Sequence, residues 1–350
     1  MKILLVGESF RGAALESIYN NLLRFGVEAE MINTHAFFET SFLNRVLNKF
    51  LKTPHYFGRE VKEVNKAILQ KASSGHFDFV LFFKPILIYP ETISKIKKYS
   101  KVIGFYNDHI NFLKNGSDYF YASIPLFDLY FMPSLTNEEA AEASRKFGCK
   151  IIPFPLALAD PLCHHPVAIT PEEKEKLGAD MVFLGTYAPE NRARYLERLC
   201  REGYDVKIYG NGWNKLPWNS CLRRKKRIIP GNTPCEEMAK IIAASKIILA
   251  FMRDQNKEVI AWRTYEIPLC GGFMLHQRTK QAEEFLVPDQ EAVFFGSYEE
   301  MKNKIDFYLK YPELRNKIAQ AGYQRVLNCG RLNRDQVKKM IEILKNEFGK

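Results

Sequence analysis

The sequence predicts an α/β protein built from two doubly wound parallel sheets. Short, almost wholly apolar runs recur along the chain, each followed by a stretch with helical spacing, as expected of strands buried between helices. The alternation stops over 155–180, where Pro155, Pro161, Pro166 and Pro171 punctuate a segment with no sustained period, and then resumes. At roughly 100–200 residues per domain, the chain's 350 residues suffice for two units, each with its own core.

In the first half, KILLV (2–6) is a strand ending at Gly7. Residues 11–25 have helical spacing through Ala14, Leu15, Ile18, Leu22 and Leu23, and Gly26 stops that helix. VEAEMI (27–32), FDFVLFF (77–83), KVIGFY (101–106), FDLYFM (127–132) and KIIPF (150–154) are the following strands, with a short helix over 91–99. TNEEAAEASRKFG (136–148) carries a cap, early acids, late bases and a closing glycine, a strong helix signature. In the second half, MVFLG (181–185), DVKIYG (205–210), KIILAF (246–251), GFML (272–275) and AVFF (292–295) read as strands. Helices are expected over 189–202, 233–245 with a Thr233 cap, near 258–269, and through nearly all of 297–348. The expected division is 1–155, a linker 156–180, 181–330, and a terminal helix 331–350 able to cross back to the first half.

Apolar residues make up 46% and charged residues 26%, which excludes a disordered chain. No apolar run approaches the roughly 18 residues of a membrane span, and the apolar start is too short for a signal-peptide core. Seven scattered cysteines without CxxC lead us to expect reduced thiols and a cytoplasmic protein. His164 and His165 are adjacent and ill-placed to share a metal, so no metal site is expected. With 51 Lys+Arg against 40 Asp+Glu, a net charge of +11, the chain favours an anionic partner.

In open α/β sheets, ligands sit beyond the carboxyl ends of the strands. The loops to read are therefore 7–9, 83–85, 107–109, 132–134, 185–187, 210–213 and 251–254. GESFRG (7–12) and GTYAPE (185–190) lack the second glycine of a dinucleotide fingerprint, and no GxxxxGK[ST] occurs. These absences argue against a nicotinamide or flavin dehydrogenase and a P-loop ATPase. Glu258 and Glu266 are eight residues apart, about 80° on a helix wheel, with Arg263 between them and Gly271-Gly272 beyond. Two exposed acids on an amphipathic helix is the plainer reading of such a pair.

FLGT (183–186) with Arg192, YGNGW (209–213), KIILAFMR (246–253), RTYEIPLCGGFML (263–275) and the helical tail 291–327 resemble the CgeB-like glycosyltransferases of the GT-B superfamily. FPLALADPLCHHP (154–166) resembles that family's interdomain segment. The resemblance covers about the last two-thirds of the chain. It implies two facing Rossmann-like domains, a nucleotide-sugar donor in the second, a glycan or lipid-linked acceptor in the first, sugar transfer without a divalent metal, and no further cofactor. On that footing Arg263, Arg253 and the amides of Gly185-Thr186 meet the departing diphosphate, Glu266 meets ribose hydroxyls, and Glu258 addresses the donor sugar. Tyr209, Gly210 and Asn211 line the base pocket, and Arg192 and, from the first half, Gly7 join the nucleotide-sugar site. The His-Thr pair common in that family is missing from NCGRLNRDQ (328–336).

If the reaction inverts configuration, Asp108 or His109 would be the base on an acceptor hydroxyl, against the plainer reading of a polar turn. Residues 36–52 read as an amphipathic helix, a candidate peripheral membrane contact, though such a helix more often covers a core. RRKKR (223–227) lacks interleaved aromatics and reads as a solvated or phosphate-attracting loop, so no nucleic acid is expected. The competing functions are a GT-B-shaped epimerase and a non-catalytic nucleotide-sugar or nucleic-acid binder.

Overall fold

A computed structural model describes residues 1–37, 58–106, 118–132, 135–154, 159–252, 260 and 262–349. The chain forms two units, Met1–Leu156 with Asn333–Lys350, and Ala157–Leu332. Each holds a six-stranded sheet in which every strand pair is parallel.

In the first unit the strands are β1 (Lys2–Gly7), β2 (Glu28–Asn33), β3 (Phe79–Phe83), β4 (Lys101–Phe105), β5 (Leu129–Met132) and β6 (Ile151–Pro153), in the order β2-β1-β3-β4-β5-β6. Alternate side chains enter two separate cores, as a strand's period of two requires. Leu4, Val6, Val80 and Phe82 pack with Val64, Ile68, Ile93 and Ala140 from the helices Gly58–Ser74, Pro90–Ile96 and Asn137–Phe147. Ile3, Leu5, Phe79 and Leu81 pack with Leu15, Ile18 and Leu22 of Ala14–Arg24, and with Val337, Met340 and Leu344 of the terminal helix Asn333–Phe348. Thr136 and Glu139 form a capping box, and Gly148, at φ 65°, closes that helix in the left-handed conformation, as the sequence signature indicated.

The second unit contains β7 (Met181–Leu184), β8 (Val206–Tyr209), β9 (Ile228–Ile229), β10 (Ile247–Ala250), β11 (Met274–Gln277) and β12 (Val293–Phe295). Their order, β12-β11-β10-β7-β8-β9, places β9 on one edge. One face is covered by the helices Asn191–Arg201 and Tyr298–Lys310, through Leu196, Leu199, Met301 and Ile305. The other is covered by Cys235–Ala244 and Arg263–Leu269, through Met238, Ile242, Ile267 and Leu269.

Several expectations are corrected. The helix foreseen near 258–269 runs from Arg263 to Leu269, and 253–259 lie outside the described residues. The helix given a Thr233 cap begins at Cys235 with Pro234 in the cap position and no side-chain cap. The strand GFML is displaced two residues, to Met274–Gln277; Gly272 before it packs tightly against Ile242 and Ile267. Within the stretch read as an irregular linker, Pro171–Leu177 is a helix with a Thr170–Glu173 capping box. It buries no residue, so it has no apolar period to detect. The helix proposed over 36–52 falls outside the described residues beyond the 3₁₀ turn Thr34–Phe37. Cys163 and Cys235 form a disulfide, against the expectation of seven reduced thiols.

Candidate functional site at the carboxyl ends of the second sheet

The loops after β7 and β8 are locked to each other by backbone contacts. Gly185 N donates to Tyr209 O at 2.9 Å and Tyr187 N to Asn211 O at 2.9 Å, while Gly210 N ties the end of β8 to β9 through Ile229 O at 3.0 Å. Gly210 adopts φ 155°, and a Cβ there would lie 2.1 Å from Gly185 O, so only glycine lets the two loops approach this closely. Trp213, buried, donates its indole N–H to the same Gly185 carbonyl at 2.9 Å. Asn211 is exposed, and its side chain reaches Asn232 and the Gly231 amide. Thr186 is exposed at the rim.

Arg263 opens its helix at the carboxyl end of β7. Its Nε donates to Leu184 O at 3.0 Å, and its Nη1 donates to Glu266 Oε2 one turn along. Nη2 makes no hydrogen bond among the described residues. Glu266 is 5% exposed, so the bare reading of two solvated acids fails for it. Its second oxygen faces His164 Nε2 at 3.6 Å. Burial opposes charge on Glu266, but Arg263, helped by His164, more than offsets it and holds the carboxyl below its ordinary range. His164 is itself buried, and its Nδ1 accepts from the Asp160 amide at 3.1 Å, so the neutral ring carries its proton on Nε2, facing the carboxylate. Burial lowers its pKa against the pull of Glu266.

The structure brings Gly185, Thr186, Gly210, Asn211, Arg263 and Glu266 to one end of one sheet. Arg192 is 4% exposed; its Nη2 binds Glu190 Oε2 at 2.9 Å and Met252 O at 3.0 Å. It braces the end of β10 and is not a solvated helix residue. Tyr209 directs its ring into the core and its hydroxyl to Leu177 O at 2.7 Å, leaving its backbone to the loop and not its ring to a base. Gly7 ends β1 in the first unit, where a Cβ would lie 2.8 Å from Phe83 O. Asp108, His109, Arg253 and Glu258 lie outside the described residues.

Sequence reasoning missed His164 as a partner of Glu266, having weighed it only as half of a metal pair. His165 instead contacts Pro166 O, so the two rings do not converge. It also missed a buried pair beneath the site, Thr264 Oγ1 and His276 Nε2 at 2.9 Å. Separations of 102 and 12 residues left no local pattern for either.

Residues 192–342 match the family model described as Glycosyl transferase-like. No curated protein matches the chain. Among solved structures, a glycosyltransferase from Rickettsia africae is 15% identical with a TM-score of 0.60, covering 99% of this chain and 98% of its own. Anabaena HepE in complex with UDP-glucose is 14% identical with a TM-score of 0.59, covering 99% and 100%. A putative UDP-N-acetylglucosamine 2-epimerase from Listeria monocytogenes is 14% identical with a TM-score of 0.54, covering 99% and 96%. The two parallel sheets with their flanking and terminal helices are the GT-B fold.

Proposed function

We propose that the protein is a GT-B glycosyltransferase that moves a sugar from a UDP-, GDP- or dTDP-linked donor to an acceptor hydroxyl of a glycan or lipid-linked glycan, in cell-surface or spore glycoconjugate synthesis. The observation that carries this is Glu266, a buried carboxylate kept charged between Arg263 and His164 beside the glycine-locked turn after β7. A charged carboxylate suits the paired hydroxyls of a ribose. The guanidinium suits the charge that grows on a departing diphosphate; the Gly185 amide, expected to share that role, is instead taken by Tyr209 O. The donor therefore belongs to 181–330 and the acceptor to 1–155, with Asp108 or His109 as base and Glu258 and Arg253 completing the donor contacts.

A screen of UDP, GDP and dTDP by thermal shift tests the reading. The matching nucleotide at 100-fold over its Kd stabilises by about 2.7 kcal/mol, and slow donor hydrolysis releases the same diphosphate. Glu266 sits beside Arg263, which repels a divalent cation, so turnover persists in excess EDTA; loss restored only by Mn²⁺ or Mg²⁺ overturns that part. The epimerase neighbours define the rival outcome, a converted nucleotide sugar with no acceptor consumed.

A carboxylate on ribose holds ground and transition states alike, so Glu266→Ala raises KM for the donor with little change in kcat. Hydrogen bonds to a charged group are worth roughly 1.5–3 kcal/mol, which sets the rise at about 10- to 100-fold. An unchanged KM in a folded variant removes Glu266 from the donor site.

A further inference from the structure

The connection from β8 to β9 is a charged feature that the donor site leaves unused. From Lys215 to Lys226 it carries Lys215, Arg223, Arg224, Lys225 and Lys226 and no carboxylate, and all five are exposed. Among them stands Trp218, 83% exposed, more than any other large apolar side chain among the described residues.

The loop that presents this indole is firmly built. Trp213 is buried at its start, and Leu216 and Leu222 are buried on either side of Trp218. Arg223 Nη1 donates to Leu216 O at 2.8 Å. The carboxylate of Glu197 accepts from the Ser220 hydroxyl at 2.6 Å and from Cys221 N at 2.7 Å, which fixes the start of the short helix Cys221–Arg224. The neighbouring apolar residues have found the core, while Trp218 is held in water, where its large apolar surface is unfavourable.

The location suits a broad partner. Lys225 Nζ donates to Cys200 O at 3.2 Å, and Arg227 pairs with Asp205 at 2.7 Å. These contacts put Lys225 and Arg227 at the amino end of β8, while Lys215 follows Trp213, whose indole bonds Gly185 O at the carboxyl end, so the connection runs along the edge of the sheet from one end to the other. β9 beside it is an edge strand, so the second sheet continues no further on that side.

We infer that this edge docks the protein on an anionic lipid bilayer, with Trp218 seated at headgroup depth and the surrounding cations against lipid phosphates. Indole rings favour that interface, and a cluster of four to eight Lys or Arg is what an anionic leaflet attracts. Single-stranded nucleic acid needs successive aromatics along a basic groove, and here one indole stands alone. The inference is independent of the donor chemistry.

Flotation of the full chain with vesicles tests it. The protein floats at low salt with equal parts phosphatidylcholine and phosphatidylglycerol, stays behind with phosphatidylcholine alone, and is released by high salt. Arg224→Gln combined with Lys226→Gln weakens partitioning about thirtyfold, at roughly fivefold per cation. Trp218→Ser weakens it too, and by a step that salt does not abolish. Both variants keep the wild-type melting temperature. Failure of the wild type to float on anionic vesicles overturns the proposal. So does flotation that neither variant changes, which moves the contact elsewhere, or a 20-nucleotide single strand bound more tightly than the vesicles, which makes the partner a nucleic acid.

Discussion

Replacing Arg263 with alanine lowers kcat about 10²- to 10³-fold, the range seen when one preorganised charge-stabilising donor is lost. The expectation rests on how this side chain is held. Nε is anchored on Leu184 O and Nη1 on Glu266, so the guanidinium is fixed before any ligand arrives, with Nη2 left over beside the Gly185–Thr186 turn. A donor fixed in advance favours the state in which charge has grown on the leaving diphosphate, so the loss falls on kcat more than on KM. Arg263→Lys restores only part of the rate, because one ammonium cannot bond Leu184, Glu266 and a phosphate in the planar geometry of a fork. It does keep a cation beside buried Glu266, so it separates a catalytic loss from a folding loss: alanine lowers both rate and melting temperature, lysine mainly the rate. A folded Arg263→Ala enzyme with near-normal kcat leaves the arginine as a structural partner of Glu266 and withdraws it from the reaction.

The GT-B fold was legible because its strands are short, apolar on both faces and separated by helices with clear stop signals, as at Gly26 and Gly148. Segments whose structure depends on something other than apolar period were not. Pro171–Leu177 buries nothing and is announced only by its capping box. Ile228–Ile229 is two residues long and pairs with β8 alone, too short for any alternation to show. At the site, residue order alone assigns Gly185 and Gly210 to loops at the carboxyl ends of strands, whereas Arg263 and Glu266, on the helix Arg263–Leu269, are singled out by their helical spacing and by the resemblance of RTYEIP. Side-chain direction could not be read in this way. Arg192 and Tyr209 sit beside those loops yet turn inward, because Glu190 and the Leu177 carbonyl offer buried partners that are invisible in one dimension. The pairings of Cys163 with Cys235, across 72 residues, and of His164 with Glu266 are likewise tertiary facts.

Stability of the second unit falls as pH drops from about 6.5 to 4, and His276 is a principal cause. The ring is fully buried. Its Nδ1 faces the Gln277 carbonyl, an acceptor only, so Nδ1 bears the proton and Nε2 accepts from the Thr264 hydroxyl. Burial, against the favourable bond to Gln277, pushes its pKa down from 6.5 to about 4. No charged neighbour contributes to that shift, so ionic strength has little effect on it. Because the folded value lies below the unfolded one, the unfolded chain binds the extra proton between them, and stability is complete above pH 6.5 and lost as pH falls toward 4. A gap of about 2.5 pH units corresponds to about 3 kcal/mol. His164, also lowered by burial, acts in the same direction, whereas carboxylates such as Glu266 add their loss only in more acid solution. Urea unfolding at pH 7 and at pH 4.5 measures the effect. The wild type loses most of that 3 kcal/mol, and His276→Gln, which presents a donor and an acceptor without a titrating ring, loses correspondingly less whatever its own starting stability. Parallel losses in the two proteins mean that the ring is already charged in the folded state or reaches water, and that the Thr264–His276 pair is not the dry, neutral contact beneath the site.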